Sequence, residues 1–314
     1  MLKSLAKRLP HPWLMRLHHH YDLKRKSAVA RLASERTGLP LLNTLELPPL
    51  KTSDTVFVLG SGWSINGISD RQWEVIGRHD TIGLNFWPVH RFVPRIYLFE
   101  SINRAEGYEF MFDTFQGLLR RCAGDYRDVI KVLSEVQPPG PRQLVFEIPE
   151  SFRPNLYIGY SNYMVVRNER ELIAGIRYLR RQGIFEPGNH VPWNFKNGGS
   201  VIAAISLAAR MNYRRIVLCG IDLGKAECFY HDTERYPEAC NWEFVPRTQV
   251  HGAARRFKWG LPAQEVIYLF KREVLDPAGI ELFVENCSST LFPRVPQAPP
   301  SLFEGLASNS PGGP

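Results

Sequence analysis

A single Rossmann-like α/β domain with a mostly parallel sheet is the fold this sequence predicts. Short apolar runs, several ending in glycine or a polar turn, alternate along the chain with stretches of helical period. That alternation implies right-handed crossovers and a parallel sheet, which binds ligands beyond the carboxyl ends of its strands. With 314 residues, 44% hydrophobic and 22% charged, the chain has material for one sizeable core.

The elements come in this order. Residues 1–50 read as a basic N-terminal arm, in which Leu2, Leu5, Leu9, Trp13 and Leu17 recur at helical spacing, with Pro10 and Pro12 interrupting any single helix. The domain spans 51–292. Val56 to Leu59, Thr81 to Leu84, Ile96 to Phe99, Val129 to Leu133, Leu144 to Phe146, Arg215 to Cys219 and Glu281 to Val284 are the predicted strands. Helices are expected at 69–77, 105–122, 169–183, 199–211 and 261–275. Residues 150–168 and 224–250 read as loops, the first as a small lid region. Residues 293–314, rich in Pro, Ser and Gly, read as a disordered tail.

Charge narrows the class of partner. From Met1 to Arg31 there are eight Lys/Arg against one Asp, so this arm holds +7 of the net +8. A neutral body with a basic arm points away from nucleic acid and towards an anionic membrane surface, or else to a helix packed on the domain with a solvated basic face. No apolar run is long enough for a membrane span, and no secretory leader is expected. The five cysteines, without CxxC spacing, read as reduced thiols of a cytoplasmic protein; zinc held by Cys228, His231 and Cys240 is a minor alternative. His18, His19 and His20 read as a polar surface patch.

Five places carry candidate chemistry. Gly60, Ser61, Gly62 and Ser64 come directly after the first strand, where amides and hydroxyls can approach a phosphate or sugar; packing glycines are the alternative. Ile65 stands where a dinucleotide fingerprint wants a third glycine, and the Walker-type GK[ST] is absent. Asn85 ends the second strand and can bond a base or ribose with both ends of its amide. Asn197-Gly198-Gly199-Ser200 opens a helix whose N-terminus suits a phosphate or carboxylate, or is capped by Asn197. Asp222 comes after Cys219-Gly220-Ile221, with Tyr230 and His231 downstream; a capping role for Asp222 is the alternative. His251 precedes the last long helix and is a candidate general base.

Taken in order, VFVLGSGWSINGIS, DTIGLNFW, GGSVIAAISLAARMNYRRIVLCGIDL, the Tyr230 segment, VHGAARR and ELFVENCSSTL resemble the bacterial sialyltransferases of glycosyltransferase family forty-two. They are also similar to lipopolysaccharide-core Kdo transferases. The resemblance implies a GT-A-variant glycosyltransferase that works without metal or cofactor and inverts the sugar taken from a CMP-activated donor. It implies Gly60, Ser61, Gly62 and Ser64 along the nucleotide. Asn85 and Ser200 would hold ribose, cytosine or the donor carboxylate, the helix N-terminus at Gly199 and Ser200 would help Tyr230 stabilise charge growing on the phosphate, Asp222 stands at the sheet edge and Asn286 would border the cytidine. Tyr230 would bond the leaving phosphate and His251 would be the base. Ser61 stands where the family usually has Asn, a second family tyrosine is replaced near Gly224, and Lys196 approximates a basic residue before the long helix. The implied partners are the donor and a glycan or lipid-linked acceptor, at the cytoplasmic face of the inner membrane; homo-oligomer formation stays open. A pterin-diphosphokinase-like enzyme, a dinucleotide oxidoreductase and a non-catalytic glycan-assembly protein are the competing classes.

Overall fold

The computed structural model describes residues 11–102, 109–135, 143–224, 227–239 and 260–304. In chain order the elements are α1 (His11–Thr37), β1 (Thr55–Leu59), α2 (Asp70–Ile76), β2 (Asp80–Leu84), β3 (Ile96–Phe99), α3 (Glu109–Cys122), β4 (Ile130–Leu133) and α4 (Leu144–Glu147). They continue as β5 (Leu156–Ile158), β6 (Tyr160–Asn162), α5 (Glu169–Arg181), β7 (Trp193–Phe195), α6 (Ser200–Arg210), β8 (Arg215–Cys219), α7 (Ala263–Phe270), β9 (Glu281–Val284) and α8 (Ser301–Glu304).

Seven strands form one sheet in the order β5-β4-β3-β2-β1-β8-β9, and every pairing is parallel. This is the Rossmann-like α/β architecture. β1 is buried at all five positions, as a strand covered on both faces must be. Its neighbours β2 and β8 lead to opposite edges, so the strand order reverses beside β1. Crevices at such switch points are where open α/β sheets bind ligands. α6 is buried from Val201 to Arg210, small residues letting it sit close against β1, β2 and β3.

Four expectations are corrected. Leu144 to Phe146 is a helical turn, because a short apolar run has no period that separates strand from buried helix. The strand beside β4 is instead β5, inside the stretch read as a lid. Leu156, Ile158, Ser161, Asn162, Met164 and Val166 there are all buried, and β6 pairs with β7 in a second small sheet. Residues 293–304 of the tail are packed: Val295, Ala298 and Leu302 are buried, and the Ala298 N–H bonds the Val284 carbonyl at 2.8 Å.

The fourth correction is the interruption of the arm by proline; of the arm's two readings, a helix packed on the domain is the one observed. α1 is one helix of 27 residues, with Pro12 in its first turn, where a missing N–H costs nothing. Met15, His19, Asp22, Lys26, Ala30 and Ala33 form its buried stripe. Three of these are polar, and they are paired: His19 Nδ1 with Asn162 Oδ1 at 3.0 Å, Lys26 with Asp22 at 2.8 Å and with the Ser161 carbonyl at 2.8 Å. Leu17, expected on the apolar face, is exposed. No helix among the described residues is long and apolar enough to cross a membrane.

Candidate functional site

A cavity of about 290 Å³ opens at the carboxyl edge of the sheet, at the switch point. Gly60, Ser61 and Gly62 line it from the end of β1, Asn85 from β2 and Glu100 from β3. The start of α6 and the Gly220–Leu223 turn after β8 supply two further walls, and Glu227 and Cys228 complete it. Segments separated widely in the sequence therefore meet because parallel strands all deliver their succeeding turns to one edge.

The Gly60 turn is built by close packing. The Gly60 N–H bonds the Cys219 carbonyl at 2.8 Å, and the Gly62 N–H bonds the Gly220 carbonyl at 2.7 Å. A Cβ on Gly60 would stand 2.6 Å from the Gly220 oxygen, and one on Gly62 would stand 2.5 Å from Asp222 Oδ2. The Phe229 N–H donates to the Ser61 carbonyl at 2.9 Å, which ties the turn to the Tyr230 segment. The Ser64 N–H and hydroxyl both donate to Asp222. Two amides expected to face a phosphate thus already have carbonyl partners, and Asp222 caps the 3₁₀ turn Trp63–Gly67.

Asn85 adopts a left-handed φ of +51°, and its backbone is held on both sides: its N–H donates to Leu98 at 3.1 Å and its carbonyl accepts from the Tyr97 hydroxyl. Its amide nitrogen donates to Ser200 Oγ at 3.2 Å. Ser200 Oγ in turn donates to Glu100 Oε1. Glu100 Oε1 also accepts from Lys196 Nζ at 2.8 Å, and Lys196 reaches Glu135 Oε2 at 2.5 Å. Lys196 is buried. Burial works against its charge, but Glu100 above all, with Tyr163 and Glu135, more than offsets this and holds its ammonium above the ordinary value.

At the start of α6, Gly199 takes φ +110°, a conformation that L side chains rarely adopt. Asn197 is not the cap. Its amide instead pairs with both backbone groups of Met164, at 2.8 and 2.7 Å, and so joins α6 to the strand β6 segment. Ser200 and Val201 line the cavity, and as first residues of the helix their N–H groups have no intrahelical acceptor.

Tyr230 lies one layer behind the wall. It is buried against Phe86, Phe229 and His231, next to Cys228, and burial pushes its phenol well above the usual range. Burial likewise pushes the Cys228 thiol to about 11. Asn286 stands beyond β9, where its side chain accepts from the Ser288 N–H at 2.9 Å and donates to Glu285; it does not line the cavity. His251 and Cys240 lie outside the described residues. Of the zinc candidates, His231 Nδ1 accepts the Cys228 N–H at 3.2 Å, and no cluster of three metal-ligating side chains occurs among the described residues.

Sequence reading missed Glu100 and Glu227, and named Cys228 only as a possible zinc ligand. Glu100 had a signal, since it stands directly after a predicted strand and so sits at the functional edge. Glu227 and the cavity position of Cys228 had none, because long-range contacts, the Gly62–Cys228 bridge and the Phe229–Ser61 bond, bring that loop to the site.

Fold and cavity together define a Rossmann-like α/β protein with a cavity at its switch point. No protein-family model and no curated protein matches this chain. Among solved structures, it is similar to the sialyltransferase CstII from Campylobacter jejuni in complex with a substrate analogue, cytidine-5′-monophosphate, at 12% identity and a TM-score of 0.38, covering 78% of this chain and 85% of that one.

Proposed function

We propose that this chain is a CMP-sugar-dependent glycosyltransferase. It moves an acidic ulosonic sugar, Kdo or sialic acid, from a CMP-activated donor to a hydroxyl of a cell-surface glycan or lipopolysaccharide acceptor, with inversion and without a metal. The observation that carries this reading is convergence. The Gly60 turn, Asn85, the Ser200 helix start and the Gly220–Asp222 turn, each picked out by its resemblance to the family, share one cavity. From the end of β3 to the end of β8 that cavity crosses three strand spacings, roughly 14 Å, which suits a nucleoside with its phosphate.

On this reading the sugar's anomeric carbon loses its bond to the phosphate oxygen, and CMP leaves with the electron pair. The acceptor oxygen bonds to that carbon as His251 takes its proton. Tyr230 is the donor assigned to the growing charge; it stands behind Cys228 and would have to turn towards the cavity to reach the phosphate. The outward face of α1, with Leu17 and Tyr21 exposed beside Lys24 and Arg25, would rest on an anionic membrane that presents the acceptor.

Thermal unfolding with CMP, ADP, UDP, GDP and NAD, each without metal, tests the donor class. The expected result is stabilisation by CMP alone, and then transfer from CMP-Kdo or CMP-sialic acid. A larger shift with another nucleotide sinks the reading. A second reading, a non-catalytic glycan-binding protein, is favoured by one observation: Glu100, Asp222 and Glu227 line the cavity, whereas no Lys or Arg does among the described residues. Binding of CMP or free sugar without turnover of either donor would select it.

A further inference from the structure

We infer that Glu100 decides which part of the ligand lies over the start of α6: a group that donates hydrogen bonds, the cis-diol of a ribose, and not a phosphate or carboxylate. The inference takes the ligand class from the nucleotide reading above and its orientation from the chain's own geometry.

The amides of Ser200 and Val201, with the helix dipole behind them, would by themselves attract an anion. The chain already sets an anion beside them: Glu100 Oε1 accepts the Ser200 hydroxyl and the Lys196 ammonium, so an incoming phosphate would meet a carboxylate at the first turn of α6. Lys196 has no charge to spare, because Glu135 holds it from the other side at 2.5 Å. The group of three carries a net negative charge, and a second anion there meets repulsion in a partly buried setting.

What this end of the cavity offers is acceptors. Glu100 Oε2 has no protein partner among the described residues, and the Glu100 side chain is one-third exposed, towards the cavity. Asn85 adds a second acceptor. Ser200 has one proton, and it goes to Glu100, so Ser200 Oγ can only accept from Asn85. The amide nitrogen of Asn85 therefore faces Ser200, which leaves Asn85 Oδ1 as a buried acceptor with no partner. Glu100 Oε2 facing the cavity and the buried, unpaired Asn85 Oδ1 beside it are two acceptors that suit two adjacent hydroxyls. The turn on the opposite wall gives phosphate little more, since the Gly60 and Gly62 amides are already bonded.

Calorimetric titration of the full chain with cytidine and with 2′,3′-dideoxycytidine tests this. Cytidine should bind at least about tenfold more tightly, the usual consequence of leaving such acceptors unpaired. Millimolar inorganic phosphate should not compete. In Glu100→Gln the preference should shrink below about threefold; melting of the variant checks its fold, and the wild-type comparison stands without it. Equal affinities in the wild type, or competition by phosphate, would overturn the assignment. If uridine, adenosine or guanosine binds in place of cytidine and its dideoxy analogue is rejected, the CMP reading falls and the role of Glu100 stands. If no nucleoside binds, both fall.

Discussion

Asp222 accepts two hydrogen bonds from a single residue, the Ser64 N–H at 2.9 Å and the Ser64 hydroxyl at 2.5 Å. This pair locks the turn after β1 to the turn after β8 and so shapes the cavity before any ligand arrives. Asp222→Ala should cost about 1.5–3 kcal/mol, the range for hydrogen bonds to a charged group. Gly62→Ala, which brings a Cβ to 2.5 Å from the same carboxylate, should cost about 1–3 kcal/mol. Urea midpoints measure both, and an unchanged midpoint for either would show that the lock is dispensable.

Lys196 is the buried centre of a charge network, so removing it leaves Glu100 and Glu135 facing one another across its place. Lys196→Met should destabilise by about 3–5 kcal/mol. Adding Glu135→Gln should recover part of that loss. A Lys196→Met protein that melts like the wild type would rule out a structural role for the network.

Two buried histidines set the acid side of the stability profile. Burial lowers His19 to about 4, its bond to Asn162 offsetting only part of the effect. Burial, with Arg91 and Arg235 nearby, also lowers His90 to about 4. Both folded values lie below the ordinary 6.5, so between about 6.5 and 4 the unfolded chain binds more protons than the folded one. Their contribution is complete above pH 6.5 and is lost as pH falls to about 4, by at most about 3 kcal/mol each. Urea titrations at pH 7, 5.5 and 4.5 should show that decline, and His19→Gln should flatten it.

The proposed base has a kinetic signature. His251→Ala should lower transfer by about 10²–10⁴-fold and leave CMP binding intact. Near-normal turnover in that variant would reassign the proton acceptor.

The proposed membrane docking through α1 can be tested apart from folding, because Lys24 and Arg25 lie on its exposed side. At about 1 kcal/mol for each basic residue near an anionic surface, neutralising both should weaken binding to phosphatidylserine vesicles by roughly tenfold or more. Deleting the whole helix tests something else, since Met15, Ala30 and Ala33 are part of the core. Equal binding by a Lys24→Gln, Arg25→Gln protein would exclude this face.

The sequence alone determined the α/β class, most strands of the sheet and the turns at its carboxyl edge. A parallel strand buried on both faces has to be a short apolar run, and the chain has to turn at its end, so Val56 to Leu59 and Arg215 to Cys219 announce themselves. Only the tertiary structure decided where the donors and acceptors of those turns are spent. That Gly60 and Gly62 give their amides to the turn at the end of β8, and that Glu100 accepts the Ser200 hydroxyl at the start of α6, are contacts between segments that are neighbours in the fold and distant in the sequence. The same limit hid α1: its buried stripe contains His19, Asp22 and Lys26, polar residues whose partners lie within the helix itself or on β6. Hydrophobic periodicity records which residues avoid water by themselves. It has no record of polar residues that leave water because a partner waits for them.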